Sequence, residues 1–592
     1  MKILLIYPYF LEERNEEENI SAVPIGLYYL AALLLHEGYD AEILNFYRSG
    51  SNPQGIREML AQKNADIVGI SVFNANRWGG IETARIVKEV NPDAKIVFGG
   101  VGATFLWDHF LRNFREIDYV VLGEGEYSFL QLVRLLDNGS RGDLAAIKGI
   151  AFRNGSQIVR TAPADPIQDL DKLPNPARYF TYKHLSLTRG CPGNCTYCGS
   201  PRFWGHKVRF HSVSYFVDQL ELLYRKGISF FYISDDIFTM KKDLVIAVCK
   251  EILSRGLSIS WYAISHVNNV DEEILYWMRK AGCIQISYGV ESGSEKIRKK
   301  LNKRIRNEQV ERAFSLTTRF GILARAYIIY ACPGESPATI SETEELIREI
   351  KPLSVLFYVL RVFPGTALYD DVKERMQITD EVWLNPIEDI LYFETDPGLA
   401  NEEVLTFRDR LRKAFYEGLP SFIDAIELED IGEFHPLHAD FLSRLGMTFS
   451  HGDYAAIEAI PDKEAIAVRL FKRALCYSPD ARAYLGLAMI KQRNREYRES
   501  IELLTEGIRL FPGNEPLHIC LGVSYMNLGK FSDALSILMK FQHSPNALQQ
   551  IAACNRALGQ REKEQFFLDR LRVLATSTTN CVDPMDPTGR VK

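Results

Sequence analysis

A chain of 592 residues, 46% hydrophobic and 25% charged, is ordinary globular material and long enough for about three or four domains, which excludes a disordered protein. Its formal net charge of −6 excludes a general electrostatic pull towards nucleic acid, so a nucleic-acid partner is not expected. Met1 to Phe10 reads as a buried strand rather than a cleavable signal, and the longest apolar run, Ile25 to Leu35, is too short to span a bilayer, so a soluble cytoplasmic protein is expected.

Residues 1–140 alternate apolar runs with amphipathic stretches. Strands are expected over Lys2–Tyr7, Asp40–Phe46, Ile67–Val72, Lys95–Phe98 and Tyr119–Leu122. Helices are expected between them, over Gly26–His36, Ile56–Lys63 and Ile81–Val90, with another after Glu126. This rhythm predicts an α/β, doubly wound parallel sheet with its ligand site beyond the carboxyl ends of the strands. The glycines Gly99, Gly100, Gly102, Gly123 and Gly125 fall there. Residues 141–180 read as a linker that contains a hairpin with a type I′ turn at Asn154-Gly155.

Residues 181–375 alternate again. Strands are expected at Leu185–Thr188, Ser229–Ser234, Ser258–Ile264, Ile284–Tyr288, Ala324–Tyr330 and Ser354–Arg361, which fits a partial (β/α) barrel with active residues at the C-terminal strand ends. Residues 376–445 read as a helical connector. From 446 to 575 helical hairpins repeat. Leu487-Ala488, Tyr497, Ser500 and Leu504 recur about 34 residues later as Leu521-Gly522, Phe531, Ala534 and Leu538, a period that resembles tetratricopeptide repeats. Residues 576–592 lack an apolar pattern and read as a disordered tail.

Ten cysteines in such a chain are no disulfide framework. Cys249, Cys283, Cys332, Cys476, Cys520, Cys554 and Cys581 are scattered and are expected to be buried packing residues. Cys191, Cys195 and Cys198 crowd one loop after an apolar strand, with Cys-x3-Cys-x2-Cys spacing. Structural zinc takes four ligands, and neither His206 nor His211 falls in a usual register for the fourth. Iron–sulfur clusters take Cys thiolates, and three ligands on a four-iron cluster leave one iron open.

This triplet, on the loop after the first strand of a (β/α) unit, resembles the radical S-adenosylmethionine superfamily. The resemblance implies a 4Fe-4S cluster on the three cysteines, with S-adenosyl-L-methionine chelating the open iron. It implies cofactor contacts from Tyr197, beside the third cysteine, and from the Ser234-Asp235-Asp236 strand end, where Asp235 departs from the common Gly-Gly-Glu form. Further contacts are implied from Glu291 and Ser292 of Tyr288-Gly-Val-Glu-Ser-Gly and from Pro333 of Cys332-Pro-Gly-Glu. The basic run Lys296 to Arg306 reads as a solvated face, or as a dock for an anionic substrate or acidic electron donor.

The first domain is similar to the cobalamin-binding domain found ahead of such radical modules. The residues that carry this are Pro24-Ile-Gly26-Leu27, Val68-Gly-Ile-Ser71, Phe98-Gly99-Gly100-Val-Gly102-Ala-Thr104 and Val121-Leu-Gly123-Glu124-Gly-Glu. Small residues at strand ends let a flat corrin and its nucleotide tail approach the backbone. The first strand is followed by Tyr7-Pro-Tyr-Phe and not by Asp-x-His-x-x-Gly, so cobalamin is expected base-off, without a histidine ligand.

The resemblance implies a radical S-adenosylmethionine enzyme that generates a 5′-deoxyadenosyl radical from its cluster, with cobalamin-dependent methyl transfer to an unactivated carbon as the first expectation. Cobalamin-dependent cyclisation or rearrangement, cobalamin-independent chemistry over a vestigial first domain, and a repeat-based adaptor stay open. Methylthiolation is disfavoured because residues 1–140 contain no cysteine. A flavodoxin- or ferredoxin-type reductase is implied as electron donor, and the repeats suggest a protein or peptide partner.

Overall fold

Apolar runs that alternate with amphipathic helices give this chain its parallel sheets, and in the computed structural model the central strands are the most deeply buried while the edges are partly exposed. The structure describes residues 1–11, 23–47, 52–139 and 143–581, with the side chains of 575–581 left aside. The residues divide into two compact units, Met1–Phe314 with Ala324–Arg412, and Ser315–Leu323 with Lys413–Lys592.

The first sheet of unit 1 takes strands β1 (Lys2–Tyr7), β2 (Asp40–Asn45), β3 (Ile67–Ser71), β4 (Lys95–Gly99), β5 (Tyr119–Val121), β6 (Ile150–Asn154) and β7 (Gln157–Arg160) in the order β2-β1-β3-β4-β5-β6-β7. The first five run parallel. The order reverses between β1 and β3, which opens a crevice at their carboxyl ends. The hairpin β6–β7 is part of this sheet, pairing antiparallel with β5, and so does not belong to a linker. Its turn also differs from expectation. Asn154 pairs with Gln157, and only Gly155 in the turn has a positive φ, 62°, which fits a Gly-first type II′ turn rather than type I′.

The second sheet is open, in the order β15-β14-β13-β12-β11-β8. Its strands are β8 (His184–Leu185), β11 (Phe230–Ile233), β12 (Ser260–Ser265), β13 (Cys283–Glu291), β14 (Leu323–Tyr330) and β15 (Ser354–Val359). This is the partial barrel expected from the sequence, with two local differences. The first strand stops at Leu185, and a separate ribbon of β9 (Thr188–Arg189) and β10 (Arg209–Phe210) follows it. β13 runs on to Glu291, beyond Tyr288.

After the barrel, residues 377–400 form no α-helix, unlike the helical connector expected, and their only helical segments are the short 3-10 turns Asp380–Leu384 and Tyr392–Thr395. They carry β17 (Ile390–Leu391), which pairs antiparallel with β16 (Arg361–Val362). Arg77 holds this segment on the first domain, donating to the carbonyls of Glu388 and Ile387, with its guanidinium 4.5 Å from the Trp383 ring centroid. Helix resumes at Asn401–Asp424.

Unit 2 is helical: among its helices are His435–Ser450, Lys463–Tyr477, Ala481–Arg493, Tyr497–Leu510, Glu515–Asn527, Phe531–Leu538 and Pro545–Ala557. Small residues stand where these helices cross, since a Cβ on Gly486 would meet the Phe471 ring at 2.2 Å and one on Gly522 would meet Leu538 at 2.8 Å. The last helix, Arg561–Cys581, runs into the stretch expected as a tail, and residues 582–592 lie outside the described residues. Of the scattered cysteines, Cys249, Cys283, Cys332, Cys520 and Cys554 are buried, whereas Cys476 is exposed, contrary to expectation. No helix among the described residues is long and apolar enough to cross a membrane.

The turn that closes β14 stores a titratable group. Ala331 adopts φ 62°, and the buried Glu335 steadies it by accepting from the Cys332 N–H at 3.1 Å, while its second oxygen has no partner. Burial pushes the Glu335 carboxyl up from 4.5 to about 7. A raised folded-state value means that the folded chain holds the proton more tightly. This group therefore weakens the fold above about pH 7, and the penalty fades as pH falls towards the unfolded value. The stability of Glu335→Gln relative to wild type should rise by up to about 3 kcal/mol between about pH 5 and pH 8.5. Thermal melts across that range check it, and a pH-independent difference would contradict it.

Candidate active site

The cysteine loop leaves β9 at Gly190, whose φ of 110° and whose close approach to Lys207 (a Cβ would lie 2.7 Å from its carbonyl oxygen) admit only glycine. Cys191, Cys195 and Cys198 are free and half-buried on that loop. The loop is sewn to the middle of the basic run. Thr196 N–H donates to the Leu301 carbonyl at 3.0 Å, and the Asn302 side chain donates to the Asn194 carbonyl at 2.6 Å. Burial pushes all three thiols up from 9.0, Cys198 to about 12. Among the described residues, no three His, Cys, Asp or Glu side chains are grouped to hold a single metal ion.

Glu291 ends β13 in the left-handed region, φ 66°, and is buried. It pairs with Lys303 at 3.0 Å, and its charge adds to burial in raising the Tyr197 phenol. Burial alone would lower the Lys303 ammonium, but Glu291 and the Cys195 and Cys191 thiols raise it. The sequence-expected pair Tyr197 and Glu291 is thus brought together beside the cysteines. Lys303 was hidden in the basic run, whose Lys296, Lys299, Lys300, Arg304 and Arg306 are exposed while Arg298 is buried on the Ser292 carbonyl.

Other expected residues are placed differently. The Ser292 hydroxyl is buried, facing the Thr343 hydroxyl at 3.2 Å, so it serves the strand end. Pro333 lies half-buried in the turn after β14. Asp235 points into the fold, where its carboxylate accepts from Leu187 N–H at 3.0 Å while its other oxygen has no partner, and burial pushes it up to about 6. Neighbouring residues at a strand end face opposite ways, so it is Asp236, bonded to the Ser200 hydroxyl, that is exposed.

A cavity of about 330 Å³ sits at the β1/β3 crevice. Gly26, Ser71, Gly99, Gly100, Gly123 and Glu124 all line it. A Cβ on Gly26, Gly99 or Gly123 would meet nothing within 4 Å, so these positions leave open space. Thr104 does not line it; its hydroxyl donates to the Gly100 carbonyl at 2.8 Å and accepts from Gly123 N–H at 3.0 Å. The opposite wall comes from the β9–β10 ribbon and the segment after β11, from Thr188, Arg189, Gly190 and Asp236. Sequence reasoning missed Arg189, although Thr188-Arg-Gly directly precedes Cys191.

Two family models match. The Radical SAM superfamily model covers residues 185–347, and the B12 binding domain model covers residues 21–133. The chain is 30% identical over 382 residues to the uncharacterized methyltransferase PH0819 of Pyrococcus horikoshii, spanning 62% of this chain and 83% of that protein. It is 29% identical to the anaerobic magnesium-protoporphyrin IX monomethyl ester cyclase of Rubrivivax gelatinosus, spanning 64% of this chain and 71% of that protein. Its fold is similar to that of the radical S-adenosylmethionine methyltransferase TsrM from Kitasatospora setae, solved with cobalamin and a 4Fe-4S cluster bound. There the TM-score is 0.57 at 18% identity, over 80% of this chain and 100% of that one. The cysteine loop on a partial barrel, the glycine-walled crevice ahead of it and these likenesses together show that the chain belongs to the radical SAM superfamily, among the members that carry a B12-binding domain.

Proposed function

We propose that the protein is a cobalamin-dependent radical S-adenosylmethionine enzyme that transfers a methyl group to an unactivated carbon. One observation carries this reading. The cavity walled by the strand-end glycines of the first sheet is closed on its other side by Thr188, Arg189 and Gly190, which lead straight into the cysteine loop. Cofactors seated in the two places would adjoin.

The residues fit both groups. Three thiols on one loop are the donor set an iron–sulfur cluster takes. The empty Cβ positions at Gly26, Gly99 and Gly123 leave a cradle for a group that hugs the backbone. At about 330 Å³ the cavity is at the low end for small-molecule sites, a size that would suit part of such a cofactor. When bound, these cofactors supply one-electron bond cleavage and the methyl group.

The chain's own part is binding and orientation. Cys191, Cys195 and Cys198 would hold the cluster and leave room for S-adenosylmethionine to bind at it. Lys303 offers a buried cation for that carboxylate. Glu291 accepts from the ribose or the ammonium, and Tyr197 and Pro333 flank the nucleoside. Asp236, exposed in the cavity wall, takes the role expected of Asp235. Ser71 hydrogen-bonds the cobalamin tail, Thr104 steadies the Gly100 and Gly123 turns around it, and no histidine follows β1, which favours base-off cobalamin.

PH0819 and TsrM are both named methyltransferases, which puts methyl transfer first. The likeness to the cyclase of Rubrivivax gelatinosus makes ring closure the second reading. We read the helical hairpins of unit 2 as tetratricopeptide-like repeats, whose stacked pairs suit a peptide segment or a reductase.

Anaerobic protein with a reconstituted cluster, given dithionite and methyl-deuterated S-adenosylmethionine, should form 5′-deoxyadenosine and move label onto added hydroxocobalamin. Cys195→Ala should lose most of its iron and sulfide and all 5′-deoxyadenosine. Iron content and cleavage equal to wild type would refute the cluster assignment. Lys303→Met should keep the cluster and raise the S-adenosylmethionine Kd about 10- to 100-fold, as expected for losing a charge-assisted hydrogen bond of about 1.5–3 kcal/mol. An unchanged Kd would remove Lys303 from the cofactor site.

A further inference from the structure

Four buried charges join the two halves of unit 1. Arg189 and Arg209 stand directly opposite each other on β9 and β10. Like charges so placed repel, and they do so strongly when buried. Both guanidinium side chains are buried, at 8% and 4% exposure, and each is met by a carboxylate from the turn after β5. Arg189 pairs with Glu126 at 2.6 Å and with Glu124 at 3.2 Å. Arg209 pairs with Glu124 at 2.9 Å and donates to the Ile167 carbonyl at 2.7 Å. Two arginines and two glutamates balance.

The surroundings hold this set in place. The Arg189 guanidinium lies 5.3 Å from the ring centroids of both Tyr29 and Trp204. The Tyr29 hydroxyl accepts from Gln219 at 2.8 Å and meets His211 Nε2 at 3.1 Å, and His211 is fixed from its other side by Asp171 at 2.9 Å. On the carboxylate side, Gly123 is tied through Thr104 to Gly100. Gly100, Gly123, Glu124, Glu126, Tyr29, Arg189 and Gly190 all line the cavity. A group in the cavity would lie against the residues that hold Arg189, and Arg189 lies two positions before Cys191.

We propose that Arg189 is a positioning residue: its buried pairing with Glu124 and Glu126 fixes the cysteine loop against the strand-end turn of the first sheet, so that occupancy of the cavity is felt at the cluster. This rests on the assignment of cluster and corrinoid above, and it gives Glu124, expected from the sequence to touch cobalamin, a different main task. Neither half of the ionic set can be displaced alone, because removing one partner leaves a buried, unpaired charge in the other half.

The test uses the full chain with its cluster reconstituted, in wild type, Glu126→Gln, Arg189→Lys and, as a surface control, Lys148→Gln, whose pair with Asp165 is exposed. Without corrin, the reduced-cluster electron paramagnetic resonance g-values should shift in Glu126→Gln and Arg189→Lys at wild-type iron content, and stay unchanged in Lys148→Gln. With hydroxocobalamin, the wild-type spectrum should respond, the response should be lost in Glu126→Gln, and corrin should bind about 5- to 150-fold more weakly there. Arg189→Lys keeps the charge and loses the two-pronged geometry, so it reports even if Glu126→Gln misfolds. Unchanged g-values in the variants at full iron content would overturn the proposal whether or not corrin binds. Failure of wild type to take up corrin would instead overturn the cobalamin assignment, with the corrin-free comparison still deciding the role of Arg189.

Discussion

A strand that stops two residues in sets the geometry of unit 1. β8 pairs with β11 only through His184 and Leu185. The chain then leaves the sheet, and the freed Leu187 N–H must find a partner inside the fold. Asp235 supplies it from the end of β11. The detour creates the β9–β10 ribbon, which carries Arg189 to the first sheet and launches the cysteine loop from Gly190. Without that interruption the loop would rise straight from the barrel rim, and the ribbon that now faces the glycine-walled cavity would not exist.

The same detour explains where buried charge is concentrated. Unpaired ionised groups in a protein interior are costly, and two sets of charges beside the cysteine loop are paired: Arg189 and Arg209 with Glu124 and Glu126, and Lys303 with Glu291. These two sets flank the cysteine loop. One faces the first domain and carries no free charge to spare. The other places a carboxylate and an ammonium next to the thiols, where a zwitterionic amino acid group would find complementary partners. The division suits a site that must hold one cofactor by charge and another mainly by shape.

Much of this was legible in the sequence, and what was not has physical reasons. Continuous apolar runs announced both parallel sheets, and the cysteine spacing announced its loop, because strand burial and ligand spacing are local properties. The strand-end glycines Gly99, Gly100 and Gly123, with Gly26 at the start of the first helix, fell into one cavity because parallel topology gathers strand ends and the helix starts beside them. The inward turn of Lys303 was invisible because a run of basic residues shows its charge and not which member turns inward. Arg189 looked like part of a motif, and its partners lie more than sixty positions earlier in the chain. Asp235 turns inward and Asp236 outward, a one-residue difference in facing that the sequence does not show. The hairpin after Asn154 was read as linker because nothing local tells an antiparallel pair on a sheet edge from a free one.

The central claim is that one chain seats a cluster and a corrinoid side by side. Corrin and iron measured on the same desalted preparation test it most directly, after anaerobic expression with hydroxocobalamin and cluster reconstitution. The account predicts near-stoichiometric corrin together with a full cluster. A full cluster that cleaves S-adenosylmethionine in protein that retains no corrin would contradict it and leave the first domain as a scaffold.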